Sequence, residues 1–249
     1  MITSKDNEKI KYLKKLTSTK HRKKEGKFLV DDLKTFNEGI KKGFKPLSVF
    51  LSKDFGNLEI PKSCGVFEAK HSILASISGQ PSFSGIIAVF EIPKFNEESM
   101  VLENTVILDG VQNPENVGAV LRSAAMFGFK SVILSDKSAD PFSLKSVRAS
   151  KGGIFHLKVA RLGTEKIINL LENFENIYFA EKEGGESIYK IEIPESKTAI
   201  VFGSEGSGIT EDFMKIPHKK ITIPTTNAVD SLNIAVSCGI IMSRMYGGR

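Results

Sequence analysis

The chain has 249 residues, 41% of them hydrophobic and 26% charged, which is the balance of a globular protein and not of a disordered or fibrous one. No run approaches the ~20 apolar residues that span a bilayer, and the opening MITSKDNEKIKYLKK lacks the apolar core of a signal peptide, so no membrane association and a cytoplasmic location are expected. Of the net charge of +6, residues 1–27 carry +7, from ten Lys or Arg against Asp6, Glu8 and Glu25; such a cluster attracts a phosphate backbone and releases its counterions.

From the amino terminus, Ser4 is placed to cap a helix running to Lys20, with Ile10, Leu13 and Leu16 as its apolar stripe. Gly26 breaks it, and Phe28-Leu29-Val30 reads as a short strand. Leu33, Phe36 and Ile40 recur at helical spacing until Gly43. Leu47–Leu51 and Val66-Phe67 read as strands, His71–Ser78 as a helix and Gly85–Ile92 as a strand. These elements form an α/β module over residues 1–95. Residues 96–103, polar and without hydrophobic periodicity, are the expected linker.

A second α/β series fills residues 104–249. Thr105–Leu108 is a strand of the fully buried type. Pro114 opens a helix over Glu115–Phe127, and Gly128 ends it. Ser131–Leu134 is a strand, Leu144–Ser150 a helix, Phe155–Val159 extended and Thr164–Phe174 a helix. Ile177–Phe179, Thr198–Phe202 and Lys220–Ile223 are strands, and a long helix runs from about Asp230 to Met245. This alternation predicts a mostly parallel sheet covered on both faces. Cys64 and Cys238 have no CxxC partner and the four histidines are scattered, so no metal site is expected and both cysteines read as small buried side chains.

Three segments depart from plain core pattern. In Asp109-Gly-Val-Gln-Asn-Pro-Glu-Asn-Val-Gly-Ala-Val-Leu-Arg122, a polar loop leads into a helix carrying Asn116 and Arg122. Arg122 lies among Val120, Leu121, Ala124 and Ala125, where its fork of donors calls for a phosphate or a carboxylate. Val201-Phe-Gly-Ser-Glu-Gly-Ser-Gly208 puts three glycines and Glu205 directly after a strand. Its order, G-x-x-G-x-G, is not the dinucleotide fingerprint, which disfavours a nicotinamide-dependent oxidoreductase. Ile223-Pro-Thr-Thr-Asn-Ala-Val-Asp-Ser-Leu-Asn233 leads into the last helix, with Asp230 or Ser231 as its expected cap and Asn233 in its first turn.

In combination, the order NxGxxxR, GSEGxG and IP-x₆-SLN resembles the SpoU (TrmH-like) family of the SPOUT class of methyltransferases over residues 104–249. The run Ser4-Lys5-Asp6-Asn7, Ile10-Lys11, Leu13, Leu16, Arg22 and Gly26–Val30 resembles that family's ribosomal-protein-like substrate-binding domain. Two departures stand out: Asn227 replaces a frequent glycine, and Gln80-Pro81-Ser82 stands where Pro-Gln-Gly is common.

The resemblance implies an α/β fold whose carboxy-terminal domain is tied in a deep trefoil knot. It implies S-adenosyl-L-methionine held at Gly203, Ile223 and Leu232, and a catalytic set of Asn116, Arg122, Glu205, Ser231 and Asn233. The reaction implied is transfer of a methyl group to a ribose 2′-hydroxyl of RNA. Large-subunit ribosomal RNA is the first choice of substrate, with transfer RNA or a catalytically silent RNA-binding protein as alternatives. The resemblance implies that Arg122 is the base; because a guanidinium is hardly ever deprotonated, the other role open to it is to bind the target phosphate and stabilise negative charge near the attacking oxygen. The resemblance also implies a homodimer in which one subunit's arginine nears the other's cofactor; Val117, Leu121, Ile234, Ile240 and Ile241 are candidate contacts, and core packing explains them equally well.

Overall fold

The computed structural model describes residues 1–53, 55–56, 58–62, 64–95, 104–194, 197–226 and 228–246. The expected linker at 96–103 and Asn227 lie outside the described residues. No helix among those described is long and apolar enough to cross a membrane.

The amino-terminal elements are α1 (Glu8–Leu16), α2 (Thr19–Glu25), β1 (Lys27–Val30), α3 (Leu33–Lys41), β2 (Ser48–Ser52), β3 (Gly65–Ala69), α4 (His71–Ser78) and β4 (Ile86–Glu91). The single helix expected from Ser4 to Lys20 is two. Asn7, not Ser4, caps α1 by accepting from Lys9 N. In the Thr17-Ser18-Thr19 break, the Thr17 hydroxyl donates back to Lys14 O, and Ser18 is extended. Side chains that bond to nearby backbone compete with the helix in this way.

The strands form a mixed sheet in the order β1-β4-β2-β3, antiparallel except for β2 with β3. Alternation gives β1, β2 and β4 two apolar faces. Leu29, Ile87 and Val89 pack with Ile10, Leu13 and Leu74 from α1 and α4. Phe28, Ile86 and Phe90 face the other way, into a core shared with the carboxy-terminal half.

The carboxy-terminal elements are β5 (Thr105–Leu108), α5 (Pro114–Met126), β6 (Ser131–Ser135), α6 (Leu144–Ala149), a 3-10 turn (Gly153–His156), β7 (Lys158–Leu162), α7 (Thr164–Leu171), β8 (Asn176–Ala180), β9 (Glu186–Ser187), β10 (Thr198–Phe202), α8 (Glu211–Met214), β11 (Lys219–Thr222) and α9 (Ile234–Tyr246). The extended segment expected at Phe155–Val159 instead begins as the 3-10 turn, because Gly152 enters it at φ +90°.

Seven strands pair in parallel in the order β7-β6-β5-β10-β8-β11-β9. Every residue of β5, β6 and β10 is buried, as expected for a sheet covered on both faces. Val106, Ile200 and Phe202 pack with α5, α6 and α9, whereas Ile107, Ala199 and Val201 pack with α7 and α8. Strand β10 enters between β5 and β8, and β11 between β8 and β9. The carboxyl ends of β5, β8, β10 and β11 are thereby gathered on one edge, where open parallel sheets bind ligands.

Candidate active site

Each functional segment leaves the end of a buried strand. After β5, Asp109 is 1% exposed and accepts from both the backbone N–H and the hydroxyl of Thr210. This ties the β5–α5 loop to the segment beyond the glycine-rich loop. Asn113 caps α5 by accepting from Glu115 N at 2.8 Å, which brings Asn116 into the first turn.

After β10, the chain folds back on itself. Ser204 N donates to Gly208 O, and Gly208 N to Ser204 O, both at 3.0 Å. A methyl group on Gly203 would overlap the backbone of Gly208 and Ile209, so only glycine permits this closure. Glu205 sits at the tip. After β11, residues 223–226 and 228–232 lie along the same edge and α9 begins. Its cap is Asn233, which accepts from Ala235 N at 2.9 Å, and neither Asp230 nor Ser231 serves as expected.

The three segments meet at Glu205. Its Oε1 accepts from Asn116 Nδ2 at 3.0 Å, and at 3.4 Å from Asn233 Nδ2 and Ile234 N. Asn233 Nδ2 also donates to Asn116 Oδ1 at 3.2 Å. Beside this cluster is a cavity of about 470 Å³ lined by Gly203, Glu205, Ile223, Ser231 and Leu232 among others. That size suits a small-molecule site, for which ~300–1,000 Å³ is usual. Its charged lining is Glu181, Glu205 and Asp230 against Lys182, a balance that favours a cationic ligand. A second, more polar cavity of about 750 Å³ lies on the other side of the loop; Asn116 and Lys137 line it, and Ser204, Glu205, Gly208 and Ile234 line both.

Of the expected residues, Asn116, Glu205 and Asn233 touch one another, and Gly203, Ile223, Ser231 and Leu232 line the first cavity. Arg122 stands apart. It is exposed and lines neither cavity, and its side chain makes no hydrogen bond or ion pair among the described residues. The apolar surroundings read for it from sequence belong to the other side of α5, where Val117, Val120, Leu121 and Ala124 are buried.

Sequence reasoning missed the floor of the first cavity, Ala180, Phe202 and Ile241. The first two end parallel strands, and that position is the signal that marks them. For Ile241, as for Val117, Leu121 and Ile234, a subunit contact and core packing are equal expectations from sequence. All four are core residues, between 0% and 8% exposed. Cys238 is fully buried, which pushes its thiol up and keeps it unreactive.

The model of the SpoU rRNA Methylase family matches residues 103–243, and that of the MRM3-like substrate binding domain matches residues 7–88. The chain is similar to the 23S rRNA (guanosine(2553)-2′-O)-methyltransferase RlmP of Bacillus subtilis, with 27% identity over 99% of both chains. It superposes on an AdoMet-bound rRNA methyltransferase of Sinorhizobium meliloti with a TM-score of 0.87, covering 99% of this chain and 97% of that one at 24% identity. A putative RNA methyltransferase of the TrmH family from Porphyromonas gingivalis gives 0.84, with 30% identity over 96% of this chain and 97% of that one. With its family match covering more than half of its length and the strand ends holding that match together, the chain belongs to the SpoU rRNA methylase family.

Proposed function

We propose that this protein is an S-adenosylmethionine-dependent methyltransferase that modifies a ribose 2′-hydroxyl in large-subunit ribosomal RNA. The observation that carries the reading is the convergence of three distant segments on Glu205, beside a cavity with apolar walls and an excess of carboxylates. The substrate follows from the Bacillus subtilis relative, whose similarity extends along the whole chain.

The cavity fits the cofactor. Ile223 and Leu232 supply apolar surface for a flat base, the Gly203 backbone allows close approach, and the carboxylates favour a positively charged ligand. When bound, S-adenosylmethionine supplies an electrophilic methyl group. The protein's own residues prepare the nucleophile, because a ribose hydroxyl is a weak acid that must be held in line and favoured as its anion. Arg122 binds the neighbouring phosphate and stabilises negative charge at the 2′-oxygen. Ser231 and Asn233 position the sugar, and Asn116 and Glu205 fix the loop against α5 and α9.

Residues 1–95 are assigned to RNA binding and residues 104–249 to cofactor binding and catalysis. Lys5, Lys9, Lys14, Lys15, Lys23 and Lys24 are exposed, as a phosphate-binding face requires. The exposed Arg122, unpartnered among the described residues, supports a homodimer in which it reaches the cavity of a second copy. Met126, Val236 and Tyr246, exposed on α5 and α9, replace the contacts expected from sequence. The entry of β10 and β11 between earlier strands supports a knotted chain. A cytoplasmic location follows from the substrate.

The test is to incubate the protein with methyl-labelled S-adenosylmethionine and unmodified total RNA, and then to map the label. Alkali-stable label in a ribose of large-subunit RNA is expected. Label confined to transfer RNA reassigns the substrate, and no ribose label refutes the reading.

A further inference from the structure

The two halves of the chain meet across more than a linker. Arg22, 3% exposed, donates to Asp140 Oδ2 through Nε at 2.9 Å and Nη2 at 2.7 Å. Asp31, 1% exposed, accepts from Arg148 Nη2 at 2.6 Å and from the Ser78 hydroxyl at 2.6 Å. Glu38 accepts from His156 Nε2 at 2.7 Å, and this bond holds its carboxyl below the usual range. At the centre is Phe155, 5% exposed. Its ring lies 4.8 Å from that of Phe44, 5.3 Å from Phe90 and 6.0 Å from Phe28. All three neighbours belong to the amino-terminal half.

The turn that carries Phe155 packs against α5. A methyl group on Gly153 would stand 3.0 Å from both Arg122 Cα and Leu121 O, so this turn lies directly on the backbone that presents Arg122. Helix α6, which carries Arg148, abuts α5 at Gly118, where a methyl group would overlap Ser146 O and Ala149 Cβ. On the opposite side of Phe155, a methyl group on Gly39 of α3 would be 2.8 Å from the ring. The contacts therefore run without a gap from α3, through the Phe155 ring and Gly153, to Arg122. Close-packed groups of this kind transmit displacement because they have no void to absorb it.

We infer that Phe155 is a positioning residue: through it, the amino-terminal half sets the placement of Arg122, so the RNA-binding arm and the arginine form one rigid body. The inference rests on the role proposed for Arg122. It explains why a side chain that is exposed and without partners among the described residues is carried on backbone pinned from two sides. It also explains why the junction is built from buried ion pairs and aromatic rings, when a flexible arm would need neither.

Three full-length variants test this. Gly39→Ala, made wholly within the amino-terminal half, presses on the Phe155 ring; Phe155→Leu shortens the plug; the double variant gives the added methyl room. Single-turnover methyl transfer is expected to fall about tenfold in each single variant and to recover partly in the double variant, the signature of a coupled pair. Cofactor and RNA affinities should stay within about twofold of the parent, since neither site is touched. Ile73→Val, in the amino-terminal core away from the junction, is the control and should leave the rate unchanged. Amide exchange across 114–126 should rise in Gly39→Ala and not in the control.

Rates within about twofold of the parent in both single variants, or equal losses in the control, overturn the inference. If the parent transfers no methyl group, the functional reading falls instead, and amide exchange alone then decides whether the junction controls α5.

Discussion

Asn116 and Glu205 stand 89 positions apart in the chain, and Asn116 Nδ2 donates to Glu205 Oε1 at 3.0 Å. That bond closes the distance between the first turn of α5 and the tip of the glycine-rich loop, and Asn233 joins it from the start of α9. Glu205 is thus the point at which three loops are held in register.

Removing the carboxylate should release all three. A hydrogen bond to a charged group is worth about 1.5–3 kcal/mol, and exposure places Glu205 at the low end, so Glu205→Ala should weaken S-adenosylmethionine binding about tenfold. Glu205→Gln keeps an acceptor and should lose less. Calorimetry on both variants measures the difference, and parent-like affinity in Glu205→Ala counts against the role of the loop.

Gly203 tolerates no side chain, because the backbone of Gly208 and Ile209 occupies the space. Gly203→Ala should open the loop and abolish cofactor binding, while the lysine-rich helices α1 and α2 still retain RNA in a filter-binding assay. Saturable cofactor binding at the parent affinity would show that the loop has another closed form.

Arg148→Ala leaves the carboxylate of Asp31 buried without its cation. Breaking a buried pair costs about 3 kcal/mol or more, which in a chain of this size lowers Tm by roughly 6–12 °C. Calorimetric unfolding reads this directly. A shift under about 2 °C would mean that Asp31 finds another partner.

Lys23 and Lys24 are exposed, whereas Arg22 between α1 and the junction is buried on Asp140 and unavailable to RNA. Replacing both lysines with alanine should lower the slope of log affinity against log salt by about 0.7–0.9 per lysine lost. An unchanged slope would place the RNA elsewhere.

Much of the fold was legible because its strands are short apolar runs bounded by clear breaks. Strand Thr105–Leu108 is found with the bounds the pattern predicts, and so is the helix His71–Ser78. The family resemblance, not residue spacing alone, singled out Gly203, Ile223 and Leu232, and these three line one cavity. What was hidden depends on distant partners. Nothing local marks Arg22 as a buried residue, because Asp140, its partner, lies 118 positions on. Ile241 has the same helical spacing whether it faces a cavity, a core or another subunit. The junction around Phe155 was invisible for the same reason: the sequence suggests a linker, whereas close packing between the two halves arises only in three dimensions.

The central claim is that the loops at Gly203 and Ile223 hold the methyl donor while Arg122 readies the ribose oxygen. The most direct measurement pairs cofactor affinity with single-turnover transfer in Arg122→Ala. Arg122→Ala is expected to keep affinity within about twofold of the parent and to slow transfer by roughly a hundredfold or more, as for loss of a charge-stabilising donor. Transfer at the parent rate by Arg122→Ala would contradict that claim.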